Sequence, residues 1–395
     1  MYLKLGDIEV SKKPLCMAPW KGLYVSPHGL SPCCHIAPKD IYDMEEYMES
    51  DYLVALKKAH MEHDIANMDV KCKICVNKKH TLFGEMGYGK DPVLTKQWDE
   101  GDTDFSHINV AISSKCSMSC KMCLISDKRF NELKVHGTEV LGLGPKTLDY
   151  IINDFDIVGL VKERGDSIRY LSLFGGDPAM HNTTPSILNV LEPTTIVRYS
   201  CNGKLGKLTD GSDLVETLNK FNRVSLSFSI DALGDLGKYI RGGIDYKRFD
   251  ELYFKTAKLK EKYWVGISLT VSLWNVMLLP SIFEDIYNKY IEGNDHILIF
   301  MTSVVDPSYA SIANLPYKLK MNLRKKCKEH LDSLKSSGDI RKYEMFQSLL
   351  EQYEYSIVEP FNKAGWERFV YLEQNHEITR GYNIKQFVSD YEGYL

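Results

Sequence analysis

The sequence predicts an α/β protein in which six βα units form a partial barrel, between a cysteine-rich N-terminal segment and a helical C-terminal region. From about residue 107 onward, β-rich apolar runs alternate with amphipathic stretches, as expected for a parallel sheet covered by helices. Eight of the ten cysteines fall between Cys16 and Cys123. After about residue 312 the pattern is charged and helical without intervening strands.

The six strands are predicted from apolar runs of strand length, and helices with one apolar face fill the intervals between them. The strands end at Ser113, Phe174, Ser200, Ile230, Leu273 and Met301. Helices are predicted over residues 146–163, 246–263 and 279–292, and one more precedes the first strand near residues 46–62. The predicted domains are residues 1–95, 96–312 and 313–395.

The composition is that of a folded protein, with 26% charged and 44% hydrophobic residues. No run of about 18 uncharged apolar residues occurs, and the opening MYLKLGDIEVSKKP lacks a long apolar stretch. We therefore expect a cytoplasmic protein without a membrane span. A net charge of −4 gives no strong signal for binding nucleic acid.

Three cysteines with the spacing CxxxCxxC directly follow the first strand: Cys116, Cys120 and Cys123. A loop at the end of a strand can wrap three thiolates around one [4Fe–4S] cube, which leaves one iron without a protein ligand. That iron could bind S-adenosylmethionine (SAM) and pass an electron to its sulfonium group. Zinc is the alternative, but structural zinc usually has four N or S ligands and no histidine stands at zinc spacing beside this motif.

The motif resembles that of the radical SAM superfamily, CxxxCxΦC with Φ usually aromatic, and the resemblance covers residues 107–310. Here Φ is Met122, whose polarizable side chain can pack against an adenine ring. The resemblance implies a partial (βα)6 TIM barrel of the radical SAM type. It also implies a catalytic [4Fe–4S] cluster and cleavage of SAM to a 5′-deoxyadenosyl radical.

Residues at other strand ends are similar to SAM contacts of this family. Gly175, Gly176 and Asp177 resemble its GGE-type motif, in which glycines allow close backbone approach and the carboxylate accepts from the ammonium group of SAM. Asn202 and Asn275 follow the third and fifth strands and could line the same pocket.

The fourth strand is followed by a pattern similar to the SxD motif and downstream arginine of the peptide-modifying branch. Ser229 and Asp231 could bond ribose or carboxylate oxygens, and Arg241 could clamp the carboxylate of SAM. The alternative is an exposed turn with a surface arginine.

A second metal site is predicted in the N-terminal segment from Cys16, Cys34, Cys72 and Cys75, with Cys33 as the alternative to Cys34. Four thiolates would fully ligate an auxiliary [4Fe–4S] cluster, suited to electron transfer or to folding this segment. The same spacing also suits a structural zinc ribbon. Cys201 and Cys327 stand alone and receive no predicted role.

Residues 14–80 resemble a twitch or SPASM-like half-domain, including Pro19, Trp20, Gly29 and the closing CxxC. In the family this domain normally follows the barrel, whereas here it precedes it.

These resemblances imply an oxidoreductase or maturase that abstracts hydrogen from a peptide or small-molecule substrate, for oxidation, cross-linking or epimerisation. They also imply an external electron donor of the flavodoxin or ferredoxin type. A radical enzyme that modifies nucleotides or nucleic acid is one alternative. A zinc-containing binding module without catalysis is an alternative of another class.

Overall fold

The computed structural model describes residues 14–26, 28–77, 105–123, 155–304, 307–380 and 383–395. Parts of three predicted features lie outside these residues. They are the opening residues 1–13, residues 78–95 of the cysteine-rich segment, and residues 146–154 of the first predicted barrel helix.

Eight strands form one mostly parallel sheet, and two short strands form a separate antiparallel ladder. The strands are β1 Gly22–Ser26, β2 Gly29–Ser31, β3 His107–Ala111, β4 Ser119–Cys120, β5 Tyr170–Phe174, β6 Ile196–Cys201, β7 Arg223–Ser229, β8 Arg241–Gly242, β9 Tyr263–Val271 and β10 Leu298–Ser303. The sheet order is β10-β9-β7-β6-β5-β3-β1-β2, and β4 pairs with β8.

All six predicted strands are confirmed, as β3, β5, β6, β7, β9 and β10. They neighbour one another in chain order, as expected for successive βα units rather than for a doubly wound sheet, whose order reverses. In β7, Val224, Leu226 and Phe228 are buried and alternate with half-buried serines, because successive side chains point to opposite faces. The predicted α/β class is confirmed.

The sequence analysis missed β1 and β2, which extend the sheet from within the cysteine-rich segment. β1 pairs in parallel with β3 and antiparallel with β2. β2 begins at Gly29, whose φ of +102° favours glycine. Runs of five and three residues between cysteines are too short to show a strand period.

Three predicted helices are shorter in the described residues: the one over 146–163 begins only at Ile157, the one over 246–263 ends at Ala257 before β9 begins, and the one over 279–292 is α-helical only to Ile286 and then π-helical over Tyr287–Ile291. The described residues contain thirteen α-helices. They are α1 Ala18–Lys21, α2 Met44–Glu49, α3 Asp51–Glu62, α4 Val70–Asn77, α5 Ile157–Arg164, α6 Thr183–Val190, α7 Leu214–Leu218, α8 Gly234–Ile240, α9 Tyr246–Ala257, α10 Leu279–Ile286, α11 Tyr317–Ser337, α12 Ile340–Val358 and α13 Lys363–Arg380. None of the described helices is long and apolar enough to cross a membrane.

The single helix predicted near residues 46–62 is instead two helices, α2 and α3. Ser50 separates them with an extended ψ of 135°, and its hydroxyl accepts a hydrogen bond from the Leu53 amide at 3.3 Å. A serine in this position caps the N-terminus of the second helix, so the chain bends at Ser50 rather than continuing.

The chain divides into two compact units, and the division falls within β6. The first comprises residues 1–113, 151–174 and 183–197, and the second comprises residues 114–150, 175–182 and 198–395. The first contains the N-terminal cysteines, whereas the second contains the CxxxCxxC motif and α7 to α13. The three domains expected from the sequence stay a prediction.

Candidate active site

The three motif cysteines lie on the segment 114–123, here called the three-cysteine loop, within the second unit. Each of the three thiols is half-buried. The loop is fixed by a short ladder in which Cys120 of β4 faces Arg241 of β8. The Lys121 amide extends this ladder by donating to the carbonyl of Ile240 at 2.9 Å. Two consecutive backbone positions of the motif are therefore held by the end of α8 and by β8.

N–H donors surround the sulfurs of this loop. The sulfur of Cys116 receives the Met118 amide at 3.5 Å and the Asn202 side-chain amide at 3.8 Å. The sulfur of Cys120 receives the Arg241 guanidinium at 3.8 Å. Hydrogen bonds to sulfur are typical of cysteines that ligate iron–sulfur clusters, where they tune the cluster.

The Cys116 thiol lies in surroundings that disfavour a free thiolate. Burial, with the neighbouring thiol of Cys120, raises the pKa of Cys116 to about 12. A bound cation removes this penalty, because a coordinating thiol is deprotonated by the metal. The donor set of three thiols, two of them with N–H partners, therefore fits an iron–sulfur cluster.

Gly175 and Gly176 bring the chain after β5 against the three-cysteine loop. Gly175 has a φ of +121°, a conformation that side chains rarely adopt. A Cβ at Gly176 would collide with the carbonyl oxygen of Lys115. That same oxygen accepts the Asp177 amide at 2.7 Å. Only glycine permits this approach.

Asp177 is buried, and its carboxylate connects the strand end to the loop. It accepts hydrogen bonds from the Asn202 side chain at 2.8 Å and from the Ala179 amide at 3.1 Å. Asn202 also donates to the Ser117 hydroxyl at 3.1 Å. Burial outweighs these bonds and raises the pKa of Asp177 to about 6. Asp177 and Asn202 thus lie beside Cys116, as the sequence predicted for residues of one site.

Asp231 and Arg241 form a buried ion pair, with Arg241 Nε 2.7 Å from Asp231 Oδ2 and a second contact of 3.1 Å to Oδ1. The alternative of an exposed turn with a surface arginine is wrong, since the two side chains are 0% and 8% exposed. Asp231 also accepts the Thr270 amide at 2.9 Å. Arg241 therefore presents a fixed positive charge to Cys120. Its predicted clamping of the SAM carboxylate stays a prediction.

The other predicted SAM contacts are placed as follows. Ser229 is the half-buried last residue of β7, and Met122 is half-buried between Lys121 and Cys123. Asn275 is buried and bonded to backbone, donating to the carbonyls of Thr270 at 2.9 Å and Asp231 at 3.0 Å. Asn275 therefore fastens the backbone after β9.

The N-terminal cysteines occupy the first unit, where Cys16, Cys33 and Cys72 belong to one apolar core cluster with Met17, Leu56 and Met68. Cys75 is also buried and acts electrostatically on Cys16, Cys33 and Cys72. Burial raises the pKa of both Cys33 and Cys72 to about 12.

Cys34 is half-buried and is not among the side chains of this core cluster. The structure therefore places Cys33, the predicted alternative to Cys34, together with Cys16 and Cys72. In the part of the chain that the structure describes, no three His, Cys, Asp or Glu side chains converge on the position of a single metal ion.

A buried polar cluster beside the three-cysteine loop was missed by the sequence analysis. Lys121 lies inside the motif and pairs with Glu373 of α13 at 2.6 Å. The Glu373 carboxylate also accepts from Trp274 at 2.6 Å and from the hydroxyl of Tyr239. A lysine between motif cysteines was visible in the sequence, but no sequence signal links it to a helix 252 residues away.

Lys204 is a second residue that sequence reasoning missed, although it stands two positions after Asn202. Its ammonium donates to the carbonyl of Gly243 at 3.0 Å and to that of Ser117 at 3.4 Å. It therefore fastens the three-cysteine loop to the turn after β8.

No protein-family model matches the sequence, and no curated protein matches it. Several solved structures are similar to it at low identity. Native anSMEcpe with bound AdoMet is 17% identical at a TM-score of 0.40, over 59% of this chain and 62% of that one. Streptococcus suis SuiB bound to S-adenosylmethionine is 13% identical at a TM-score of 0.39, over 79% of this chain and 69% of that one.

TYW1 with a lysine-pyruvate adduct bound is 14% identical at a TM-score of 0.26, over 55% of this chain and 70% of that one. The chain spans less than two thirds of the length of anSMEcpe. Likeness at this level assigns no activity, and the function is inferred from the site itself.

Proposed function

We propose that this chain is a radical SAM enzyme whose Cys116, Cys120 and Cys123 hold a catalytic [4Fe–4S] cluster. The observation that carries the proposal is a loop of three thiols, fixed by β8, in which the sulfurs of Cys116 and Cys120 receive N–H donors. When bound, such a cluster has one iron open to SAM and supplies the electron that yields a 5′-deoxyadenosyl radical.

The residues around the loop suit the polar ends of SAM. A carboxylate accepts about four hydrogen bonds, and those that Asp177 receives from Ala179, Asn202 and Ser117 leave room for an ammonium group. Gly175 and Gly176 add no side chain that would block approach. We assign further SAM contacts to Ser229, Asp231, Arg241 and Met122 on the family resemblance.

The less buried face of β7, β9 and β10 supports a neutral substrate. It carries hydroxyl groups, half-buried except for the exposed Thr302, together with exposed apolar side chains, whereas the opposite face is apolar and buried. The hydroxyl groups belong to Ser225, Ser227, Ser229, Ser268, Thr270 and Thr302, and the apolar side chains to Trp264, Leu298 and Phe300. The basic side chain of Arg223 stands at the N-terminal end of β7 and lies 5.0 Å from the ring centre of Trp264. A peptide or a small alcohol fits these hydroxyls better than a nucleotide, whose phosphates need basic partners.

The remaining assignments belong to the same proposal. Cys16, Cys33, Cys72 and Cys75 would hold an auxiliary [4Fe–4S] cluster in a twitch or SPASM-like segment, suited to accept an electron from the substrate. The reaction is oxidation, cross-linking or epimerisation, and a flavodoxin or ferredoxin donates electrons. None of the ten cysteines, all of which lie within the described residues, forms a disulfide, as a reducing cytoplasm favours.

Anaerobic purification with counts of iron, sulfide and zinc tests this function. Two cubes predict about eight irons and eight sulfides per chain. Changing Cys116, Cys120 and Cys123 together to Ala should remove about four irons and abolish release of 5′-deoxyadenosine from SAM under a chemical reductant.

Cys327→Ala is the matched control, because Cys327 is a buried thiol within α11. Its iron content and 5′-deoxyadenosine release should equal those of the wild type. Zinc in place of iron, or an iron-loaded protein that leaves SAM intact, would overturn the proposal and favour a binding module.

A further inference from the structure

The cluster formed by Lys121, Glu373, Trp274 and Tyr239 is an enclosed charge network next to the three-cysteine loop. The side chains of Lys121 and Glu373 are 0% and 3% exposed, and their charged atoms are 2.6 Å apart. Taking two charges out of water is expensive, and apolar residues of similar volume often stabilise a fold as well or better. Stability alone therefore does not account for this ion pair.

The position of the Lys121 ammonium is fixed from several sides. It lies 3.8 Å from the ring centre of Tyr239 and 5.5 Å from that of Trp274. Glu373 is in turn fixed by accepting from Trp274 Nε1 at 2.6 Å and from the Tyr239 hydroxyl. Aromatic faces and a carboxylate both favour a cation, so these contacts suit the ammonium group of Lys121.

The same lysine is part of the cluster-binding backbone. Lys121 follows Cys120 directly, and Cys123 stands two residues later. Its amide bonds to Ile240, the neighbour of Tyr239. A shift of the Lys121 side chain would therefore be transmitted to the segment that carries Cys120 and Cys123.

We propose that Glu373 is a positioning residue which, through Lys121, fixes the three-cysteine loop and sets the reduction potential of the cluster that the loop holds. This inference rests on the proposed function. Local charge is one of the factors that set cluster potentials. An uncompensated ammonium stabilises the reduced, more negative cluster, whereas an uncompensated carboxylate destabilises it.

Redox titration of the anaerobic holoenzyme, followed by electron paramagnetic resonance, tests this inference. Glu373→Gln leaves the Lys121 charge uncompensated and should raise the potential. Lys121→Met leaves the Glu373 charge uncompensated and should lower it. At a fixed solution potential, we expect the ratio of reduced to oxidised cluster to rise about tenfold in Glu373→Gln and to fall about tenfold in Lys121→Met. Each change is equivalent to a shift of about 59 mV for one electron. The double variant K121M/E373Q should return close to the wild type.

Hydrogen exchange of the cluster-free protein gives a second readout. Glu373→Gln should speed exchange of the Lys121 amide, because the loop loses its anchor. The control is Glu367→Gln on the same helix, whose side chain is 63% exposed and pairs with exposed Lys363. This control should change neither the potential nor the exchange rate.

The outcomes separate this inference from the proposed function. A wild type that binds iron and cleaves SAM, with variants that share its potential and exchange rate, would overturn the role of Glu373 alone. Shifts in the same direction for both single variants would show general damage and also overturn it. A wild type that takes up no iron would overturn the proposed function and the role of Glu373 with it.

Discussion

Cys33 and Cys34 are adjacent in sequence but lie in different surroundings. Cys33 is 3% exposed and belongs to the core cluster that contains Cys16 and Cys72, whereas Cys34 is half-buried. A cluster ligand must have its sulfur among the other ligands, and the place of Cys33 in the same core cluster as Cys16 and Cys72 meets this condition.

Separate replacement of these two cysteines tests which one is a ligand. Cys33→Ala should lower the iron content by about four per chain, since the auxiliary cluster loses a ligand, while Cys34→Ala should keep the wild-type count. Iron and sulfide analysis after anaerobic purification measures both. The reverse result would restore Cys34 as the ligand.

His60 introduces a pH dependence into the first unit. The ring is 1% exposed, and neither of its nitrogens has a hydrogen-bond partner among the described residues. Burial, with the neighbouring His63, lowers the pKa of His60 to about 4. Between about pH 4 and pH 6.5, the His60 ring is therefore neutral in the native state but protonated in the unfolded state, where its pKa has the usual value near 6.5. The neutral His60 ring therefore contributes to the free energy of unfolding fully above pH 6.5, and this contribution is lost as pH falls toward 4.

His60→Leu should remove this acid sensitivity. Between pH 6.5 and pH 4, the wild type should lose up to about 3 kcal/mol more unfolding free energy than the variant. Denaturant titrations of the cluster-free protein at both pH values measure the difference. His28→Asn is the control, because His28 is an exposed histidine of the same unit. Equal pH dependence in the wild type and His60→Leu would refute the assignment.

At the scale of elements, the ladder of β4 and β8 has only two paired positions. So short a ladder is marginal alone, and the buried pair of Arg241 and Asp231 fastens β8 to the chain after β7. The hydrogen bond that the Thr270 amide donates to the Asp231 carboxylate extends this support to β9. The three-cysteine loop is thus held by contacts from the ends of two sheet strands.

Asp231→Asn should therefore loosen this arrangement. Breaking a buried pair on one side leaves an uncompensated charge and costs about 3 to 5 kcal/mol of unfolding free energy. Asp235→Asn is the control: its pair with Lys238 is exposed, so its loss should cost less than about 1 kcal/mol. Urea denaturation monitored by circular dichroism measures both. A similar, small loss in the two variants would mean that the buried pair does not fasten β8.

At the scale of the whole molecule, the features that could be predicted are those that a short stretch of sequence specifies by itself. The six strands carry apolar runs with β-rich composition, and the motif cysteines follow the first of them, so their place at a strand end could be predicted. The division of the helix at Ser50 and the short strands β1 and β2 could not be predicted. A single capping residue and strands of five and three residues leave little periodic signal in the sequence. The choice between Cys33 and Cys34 depends on packing, which adjacent positions do not reveal.

The contact between Lys121 and Glu373 was equally outside the reach of the sequence. A lysine in a motif and a glutamate in a long charged helix both suggest solvent-exposed residues. Their burial depends on Tyr239 and Trp274, which come from two further elements. Such a cluster forms only when four distant segments fold together.

This same contact has a consequence for the order of synthesis. The chain is made from its N-terminus, and Glu373 follows Lys121 by 252 residues, so at a typical rate of translation the carboxylate appears roughly 10 to 50 s after the lysine. A nascent chain thus presents all three motif cysteines long before their support is complete. If the loop holds the proposed cluster, insertion into a secured site must wait until Glu373 has been synthesised, and chains terminated before Glu373 would lack this support.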